Sequence, residues 1–234
     1  MNIPPDVDTL QAGWVFAVDK PLTWTSFDVV AKVRNALKQR YGVKVKIGHA
    51  GTLDPLATGV LVLCVGKATK TIPHWMETAK GYRATITFGA STASYDAETE
   101  VIASGAEVPA WTEEIWEEIH QLFTGVIAQI PPAFSAIRID GKRAYAEARK
   151  GNEINIPARD ITIHSLDFIS AEGPIWTVDI TCSKGTYIRS VAHDFGTHLG
   201  CGAYLSGLIR TGVGDFTLAE AHPLDMVLSA LKKT

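Results

Sequence analysis

The sequence has few cysteines, with three among 234 residues, at Cys64, Cys182 and Cys201. An odd number without a Cys-x-x-Cys pair indicates neither a disulfide framework nor a zinc site. His193 and His198 are five residues apart, so they also lack the i, i+4 spacing of helical metal ligands. We therefore expect buried thiols and no bound metal.

The chain also lacks a long apolar run. Its strongest hydrophobic stretch, Val60 to Val65, is far too short to span a bilayer, and residues 1–10 carry two Asp and two Pro instead of a basic, apolar leader. With 46% hydrophobic and 20% charged residues, the chain can bury a substantial core. These features predict a single cytoplasmic domain over residues 1–234, without membrane association.

An excess of positive charge is missing as well, since the net charge is −3. Nucleic-acid-binding domains are often basic, so this value alone does not favour RNA or DNA. The charge is uneven, however: Lys20 to Lys80 holds ten Lys or Arg against three acids, whereas Ser91 to His120 holds eight acids and no Lys or Arg. Such asymmetry occurs on ordinary solvated surfaces, and it would also allow the basic part of the chain to bind phosphates.

The motifs of two common enzyme classes are absent. Around Gly66 and Lys67 the chain has Leu61 and Ala68, where a phosphate-binding P-loop requires Gly and Ser or Thr. No Gly-x-Ser-x-Gly segment is present, so serine-hydrolase chemistry is not indicated either.

What the sequence does contain is a glycine-rich segment around one acid. From Gly48 to Gly59 it reads Gly-His-Ala-Gly-Thr-Leu-Asp-Pro-Leu-Ala-Thr-Gly, with Asp54 near the centre. Glycine and proline give the backbone unusual or fixed dihedral angles, so this segment sets where one carboxylate lies. Two interpretations remain: a turn in which Asp54 bonds its own backbone, or a carboxylate held for a reaction.

Hydrophobic periodicity predicts a mixture of strands and helices after an irregular start. Ser26 is the expected N-cap of the first long helix, and Gly42 its expected end. Strands are expected at about 14–18, 60–65, 82–88, 161–168, 176–182 and 204–210, and helices at about 26–40, 68–78, 112–123, 186–199 and after residue 223.

The segment from Gly48 to Gly59 closely resembles the signature of the TruB family of tRNA pseudouridine synthases. Other segments match the family in order and spacing over about residues 13–215: Asp19-Lys20-Pro21 with Thr25-Ser26, Gly66 to Lys70, Lys80 to Arg83, Gln129 to Pro132 with Ser135-Ala136, and Cys182 to Arg189. The resemblance implies an α+β fold of the pseudouridine-synthase type. This fold has a mixed, largely antiparallel central sheet flanked by helices, with a catalytic cleft across the sheet.

The resemblance also implies the catalytic residues. Asp54 corresponds to the catalytic carboxylate of the family, and Tyr82 to a tyrosine that stacks on the target base. Arg189 corresponds to an arginine that pairs with the catalytic Asp. A guanidinium stays protonated, so it would keep a carboxylate ionised in a dry pocket.

Further residues are expected to contact RNA. By resemblance, His49 fills the gap left by a flipped nucleotide, and Asp96 helps to hold the RNA loop. Lys20, in the Lys-Pro turn, is expected mainly to support the loop of Asp54 and also to approach RNA. Lys67 and Lys70 lie in the basic segment and are candidates for phosphate contacts.

The function implied by the resemblance is conversion of the T-loop uridine at tRNA position 55 to pseudouridine. The enzyme would be an isomerase that flips the base, breaks the glycosidic bond and reattaches the base through carbon, without a cofactor. The expected partner is the T-stem and T-loop of tRNA, with no protein partner and a monomeric enzyme. An RNA-binding or RNA-folding module without catalysis is the alternative.

Two features of organisation complete the expectation. Many family members carry a small RNA-binding PUA domain after the catalytic one, and here only a short helix follows Pro223, so no separate C-terminal PUA domain is expected. Residues 131–157 look like a basic, loop-rich arm, whose charged residues are Arg138, Lys142, Arg143, Arg149 and Lys150 against Asp140 and Glu147.

Overall fold

The computed structural model describes residues 1–135, 137–139, 142–148, 150 and 155–232. The helices are α1 (Val7–Ala12), α2 (Ser26–Tyr41), α3 (Ile72–Glu77), α4 (Glu113–Phe123), α5 (Ala144–Ala148), α6 (Ile188–His198) and α7 (Leu224–Leu231), and a 3₁₀ helix spans Gly66–Thr71. The strands are β1 (Trp14–Lys20), β2 (Ile47–His49), β3 (Ala57–Val65), β4 (Lys80–Phe88), β5 (Ala90–Ser91), β6 (Ile102–Ala103), β7 (Gly125–Gln129), β8 (Arg138–Ile139), β9 (Lys142–Arg143), β10 (Arg159–Glu172), β11 (Ile175–Cys182), β12 (Ala203–Val213), β13 (Phe216–Thr217) and β14 (His222–Pro223).

The chain forms two compact units, which are described separately below. The first unit comprises Met1–Tyr82 and Ile209–Thr234, and the second comprises Arg83–Leu208. Strands β4 and β12 supply residues to both units. The expectation of one catalytic domain over the whole chain stays a prediction.

The sheet of the first unit is organised around β3. The strand order is β14-β1-β3-β12-β4, with β2 also paired to β3 and β13 to β12. Strand β1 runs antiparallel to β3, from Trp14 opposite Val65 to Lys20 opposite Gly59, and it runs parallel to β14. Strand β3 is buried on both faces, because alternate residues enter two hydrophobic clusters. Burial on both faces explains why this segment is continuously apolar in the sequence.

Helix α2 is capped one residue earlier than expected. Thr25 is the N-cap: its hydroxyl accepts from the Asp28 amide at 3.1 Å, and the Thr25 amide donates to the Asp28 carboxylate at 3.0 Å. This reciprocal pair satisfies two backbone donors at the helix start. The prediction of Ser26 as the cap was therefore wrong, and Ser26 is instead a buried residue of the first turn. Gly42, with φ of +72°, ends the helix as predicted.

The second unit combines antiparallel strands with α4 and α6. Its strand order is β12-β4-β11-β10-β7, and β10 runs antiparallel to both β11 and β7. The fully buried Trp176 packs against Phe88 with 4.6 Å between ring centroids, and Phe123 packs against Phe195 at 4.7 Å. Together with the parallel β1–β14 pair, these antiparallel strands and flanking helices confirm the α+β class with a mixed sheet.

Some elements differ from the sequence prediction. The first residues, expected to be irregular, include α1, whose N-cap Asp6 accepts from the Thr9 amide at 2.8 Å. The helix expected at 68–78 is a 3₁₀ helix followed by α3. In the arm expected at 131–157, residues 136, 140–141, 149 and 151–154 lie outside the described residues, so the prediction for Arg149 and Asp140 cannot be compared. The described part contains α5 and the antiparallel pair β8–β9.

The three cysteines are buried thiols, as predicted, with Cys64 in the first unit and Cys182 and Cys201 in the second. Across the described part of the chain, no helix combines the length and apolarity that crossing a membrane requires. Among the same residues, no group of three or more His, Cys, Asp or Glu side chains is arranged to hold a metal ion.

Candidate active site

Asp54 lies in the loop that joins β2 to β3 in the first unit. The loop enters β3 at Ala57. Gly59, the third residue of that strand, has a φ of +102°, and a Cβ there would lie 2.3 Å from the Arg210 carbonyl oxygen. Only glycine permits this approach of two backbones. The Asp54 carbonyl accepts from the Ala57 amide at 3.1 Å, which closes a turn directly after the carboxylate.

Ser26 anchors the residue before Asp54. Its buried hydroxyl accepts from the Leu53 amide at 2.8 Å and donates to the Leu53 carbonyl at 3.1 Å. One side chain of α2 therefore satisfies both backbone polar groups of Leu53. Because Thr25 caps the helix, the Ser26 hydroxyl is available for this second task.

Lys20 anchors the residue after Asp54. Its ammonium donates to the carbonyl oxygens of Pro21 at 2.9 Å, Trp24 at 2.6 Å and Pro55 at 3.4 Å. Burial lowers the pKa of Lys20 to about 8, and the Asp54 carboxylate opposes that shift. The side chain is 0% exposed, and its contacts with the carbonyl groups of residues 21, 24 and 55 support the loop. Its role toward RNA stays a prediction.

Arg210 is a buried residue of β12 that sequence reasoning did not single out. Its guanidinium donates to the carbonyl oxygens of Val60 at 2.7 Å, Gly51 at 3.2 Å and Thr52 at 3.4 Å. Arg210 is 1% exposed. An Arg in an alternating strand is normally read as facing solvent, and that is why the sequence pattern does not reveal it.

Taken together, buried side chains from three elements hold the backbone around Asp54. Arg210 binds residues 51 and 52, Ser26 binds residue 53, and Lys20 binds residue 55. Such a loop has few alternative conformations, because moving it leaves buried donors or acceptors without partners. The backbone that carries the Asp54 carboxylate is therefore held in one position.

Other expected site residues of the first unit lie on neighbouring elements. His49 ends β2 and is partly buried, and burial lowers its pKa, so its ring is neutral near pH 7. Tyr82 is a partly buried residue of β4. Lys67 and Lys70 are exposed on the 3₁₀ helix, where their charges are accessible.

Arg189 lies in the second unit, at the second position of α6, and is 5% exposed. One guanidinium nitrogen, Nη1, donates to the carbonyl oxygens of Ser94 and Phe134, each at 3.0 Å. Its Nε lies 3.6 Å from the Asp96 carboxylate. These contacts fix the plane of the guanidinium. Its pairing with Asp54 stays a prediction.

Asp96 is placed differently from the RNA contact expected of it. It is 5% exposed, and one carboxylate oxygen accepts from the Ser94 hydroxyl at 2.6 Å and from the Glu98 amide at 2.9 Å. The other oxygen faces Arg189. A carboxylate engaged in this way orients Arg189 and is not exposed at the surface for RNA.

Comparison with known families identifies the chain. Residues 36–188 match the model described as TruB family pseudouridylate synthase (N terminal domain), which is well over half of the sequence. The chain belongs to the TruB family. It is therefore a pseudouridylate synthase, an isomerase.

Relatives of this TruB family member are similar over most of its length. It is 49% identical over 209 residues to tRNA pseudouridine synthase B of Phocaeicola vulgatus, covering 89% of this chain and 88% of that protein. It is 47% identical over 208 residues to tRNA pseudouridine synthase B of Parabacteroides distasonis, covering 88% of each.

A solved structure shares the fold of this TruB family member. In the crystal structure of a Cbf5-Nop10-Gar1 complex, one chain superimposes with a TM-score of 0.71 at 28% identity. The match covers 94% of the present chain and 54% of that chain, so this chain spans about half of its length.

Proposed function

We propose that this protein converts the T-loop uridine at position 55 of tRNA to pseudouridine, with Asp54 as the catalytic carboxylate. The observation that carries the proposal is the loop of Asp54, in which buried side chains hold the backbone on both sides of one acid. Membership of the TruB family and the names of its relatives support tRNA as the substrate. Position 55 follows from the resemblance to the family.

The reaction is an isomerisation and needs no external oxidant, reductant or cofactor. The bond between ribose C1′ and uracil N1 breaks, the base turns, and a bond forms between C1′ and C5. The C5 hydrogen leaves as a proton, and N1 gains one, so atoms and electrons balance. The target base must first leave its stack, as for other enzymes that act on bases.

Asp54 acts in its ionised form in each route open to it. It attacks C1′, adds to uracil C6, or removes the C2′ proton to give a glycal. Arg189 keeps the carboxylate ionised, because an opposite charge offsets the penalty of burial. Tyr82 stacks on the flipped base and replaces part of the stacking that the base has lost.

RNA contacts complete the proposal. The neutral ring of His49 occupies the gap that the flipped nucleotide leaves, while Lys67 and Lys70 contact phosphates of the T-stem and T-loop. Lys20 and Asp96 contribute from within the protein, by holding the loop of Asp54 and the guanidinium of Arg189. The enzyme acts as a monomer in the cytoplasm.

The first test is tritium release from transcribed tRNA labelled at uracil C5. Only formation of the new carbon–carbon bond expels that hydrogen. We expect about one equivalent per tRNA from the wild-type protein, and release lost with Asp54→Asn, because the amide cannot act as nucleophile or base. Replacing uridine 55 by cytidine should also abolish release.

Asp8→Asn is the matched control, since it makes the same chemical change at an exposed carboxylate of α1. It should keep full activity. Tight tRNA binding without tritium release by the wild-type protein would contradict the proposal and favour an RNA-binding module without catalysis. Full release by Asp54→Asn would remove Asp54 from the catalytic role.

A further inference from the structure

Tyr95 adopts a backbone conformation that is unusual for a bulky residue. Its φ is +64°, and Thr23 is the only other non-glycine residue of the described ranges with a positive φ. The left-handed region is unfavourable for an L-residue, because its Cβ comes too close to the following carbonyl oxygen. Residues held there against that cost cluster at functional positions.

The conformation of Tyr95 directs its two neighbours toward Arg189. Ser94 is 0% exposed and its carbonyl accepts from Arg189, while Asp96 faces the same guanidinium with its carboxylate. The Ser94 hydroxyl joins the two by donating to the Asp96 carboxylate at 2.6 Å. The turn of residues 94–96 therefore presents two acceptors to one cation.

The ring of Tyr95 contacts α6 one helical turn beyond Arg189. It stacks on His193 with 3.9 Å between ring centroids and 8° between ring planes. His193 follows Arg189 by four residues on α6, so both side chains lie on one face of the helix. The 94–96 turn is thus attached to α6 at two points, one helical turn apart.

A backbone hydrogen bond holds the same turn from its other side. The Leu205 amide of β12 donates to the Tyr95 carbonyl at 2.9 Å, and Asp96 forms a parallel bridge with Leu205. The position of the turn is therefore set between β12 and α6, and the aromatic stack is the side-chain part of that attachment.

We propose that Tyr95 is a positioning residue: its stack on His193 holds the 94–96 turn against α6, so that Ser94 and Asp96 orient the Arg189 guanidinium for the reaction. This inference rests on the proposed function. Tyr95 acts through Arg189 and does not touch the reacting atoms. Loss of its ring leaves Arg189 charged but allows it to take other orientations.

Three substitutions distinguish the effect of the Tyr95 ring from the effect of its positive φ. Tyr95→Phe keeps the ring, Tyr95→Ala removes the ring and keeps the unfavourable φ, and Tyr95→Gly removes both. Single-turnover tritium release, tRNA affinity and melting temperature are measured for each. We expect Tyr95→Phe to stay within about twofold of the wild-type rate, and both other variants to lose about tenfold or more, as for other misplaced catalytic groups.

The melting temperatures should follow a different order from the rates. Tyr95→Gly should have a higher melting temperature than Tyr95→Ala, because glycine adopts a positive φ without strain. Its single-turnover rate should nevertheless be as low as that of Tyr95→Ala. Affinity for tRNA should change by less than about threefold in both, since the change lies in kcat and not in uniform binding. His193→Ala should reproduce the slow rate, and combining it with Tyr95→Ala should add little, because each removes the same contact.

The outcomes distinguish this inference from the proposed function. Release by the wild-type protein and equally fast release by Tyr95→Gly would overturn the inference alone. Weakened tRNA binding at an unchanged rate would also overturn it, since Tyr95 would then be an RNA contact. No release by the wild-type protein would overturn the proposed function and this inference with it.

Discussion

At the scale of single residues, the buried cations of the first unit are directed at backbone oxygens. Lys20 and Arg210 donate to carbonyl groups, while the neighbouring, partly buried Asp19 carboxylate accepts from the Gly59 amide at 3.1 Å. A buried charge is tolerated only when donors and acceptors satisfy it. These side chains therefore stabilise one loop conformation and depend on it in turn.

The first prediction concerns Arg210. Arg210→Met removes the donor of one buried and two partly buried carbonyl groups, so we expect the free energy of unfolding to fall by about 3 kcal/mol. The free energy of unfolding of Arg210→Lys should lie between those of Arg210→Met and the wild type, because a single ammonium cannot reproduce the several donors of a planar guanidinium. Denaturant unfolding measures stability, and single-turnover tritium release measures the effect on the loop of Asp54.

Arg83→Met is the control for Arg210, because Arg83 forms an exposed pair with Asp179 at 2.7 Å. An exposed ion pair contributes little, so this variant should unfold close to the wild type. Equal destabilisation by the two substitutions would show that the contacts of Arg210 do not hold the loop.

Not all site residues could be predicted from the sequence. Asp54, Tyr82 and Arg189 came from the resemblance to a family, because periodicity does not distinguish a reactive Asp from a turn residue. Arg210 and Tyr95 depend on contacts with residues more than ninety positions away in the chain. No local pattern encodes such contacts. Buried charges are also missed because polar positions are read as exposed.

At the scale of elements, periodicity predicted the longer helices and strands. Helices α2, α4 and α6 and the half-buried β4 lie close to their expected ranges, since each repeats an apolar face. Strands β2 and β7 were not predicted, because three and five residues are too few to show a period. The cap of α2 was misplaced by one residue because Thr25 and Ser26 both have the chemistry of a cap.

The second prediction concerns Asp194, on α6. Burial raises the pKa of Asp194 from 3.8 to about 6, so the folded protein binds this proton more tightly than the unfolded chain. Between pH 3.8 and 6 the free energy of unfolding therefore falls as pH rises, and above pH 6 the full penalty of a buried carboxylate remains.

Asp194→Asn cannot ionise, so it should be more stable than the wild type at pH 7.5. The full pKa shift corresponds to about 3 kcal/mol, and solvent screening of this partly exposed side chain reduces the expected gain to about 2 kcal/mol. Below pH 4 the two proteins should be nearly equal in stability. Denaturant unfolding at the two pH values measures the difference. Asp167→Asn, at an exposed position of β10, should show no such change. An equal gain in the free energy of unfolding at both pH values would show that ionisation of the buried Asp194 carboxylate is not the cause.

At the scale of the whole molecule, charge is divided between the two units. The basic stretch Lys20 to Lys80 belongs entirely to the first unit, and the acidic stretch Ser91 to His120 to the second. A net charge of −3 therefore does not describe the surface available to RNA. The order of strands could not be predicted from periodicity, because β12 pairs with strands far from it in sequence.

The third prediction concerns the salt dependence of tRNA binding. The double substitution Lys67→Gln and Lys70→Gln should weaken binding at low salt and reduce the slope of log K against log salt by about 0.7–0.9 per lost phosphate contact. The single-turnover rate at saturation should not change. Filter binding over a range of salt concentrations measures the slope.

Lys232→Gln, an exposed lysine after α7, is the matched control and should leave the slope unchanged. If the double variant keeps the wild-type slope, Lys67 and Lys70 do not contact phosphate, and the basic side chains that do lie elsewhere.

Because the cysteines are buried, their reactivity can be used to follow the unfolding of each unit separately. Cys64 and Cys201 are 0% exposed and Cys182 is 1% exposed, so none can react with an alkylating reagent until the surrounding structure opens. Modification of Cys64 would time the opening of the first unit, while Cys182 and Cys201 would time that of the second. Mass spectrometry of a labelling time course would thus separate the two kinetic stabilities without any engineered probe.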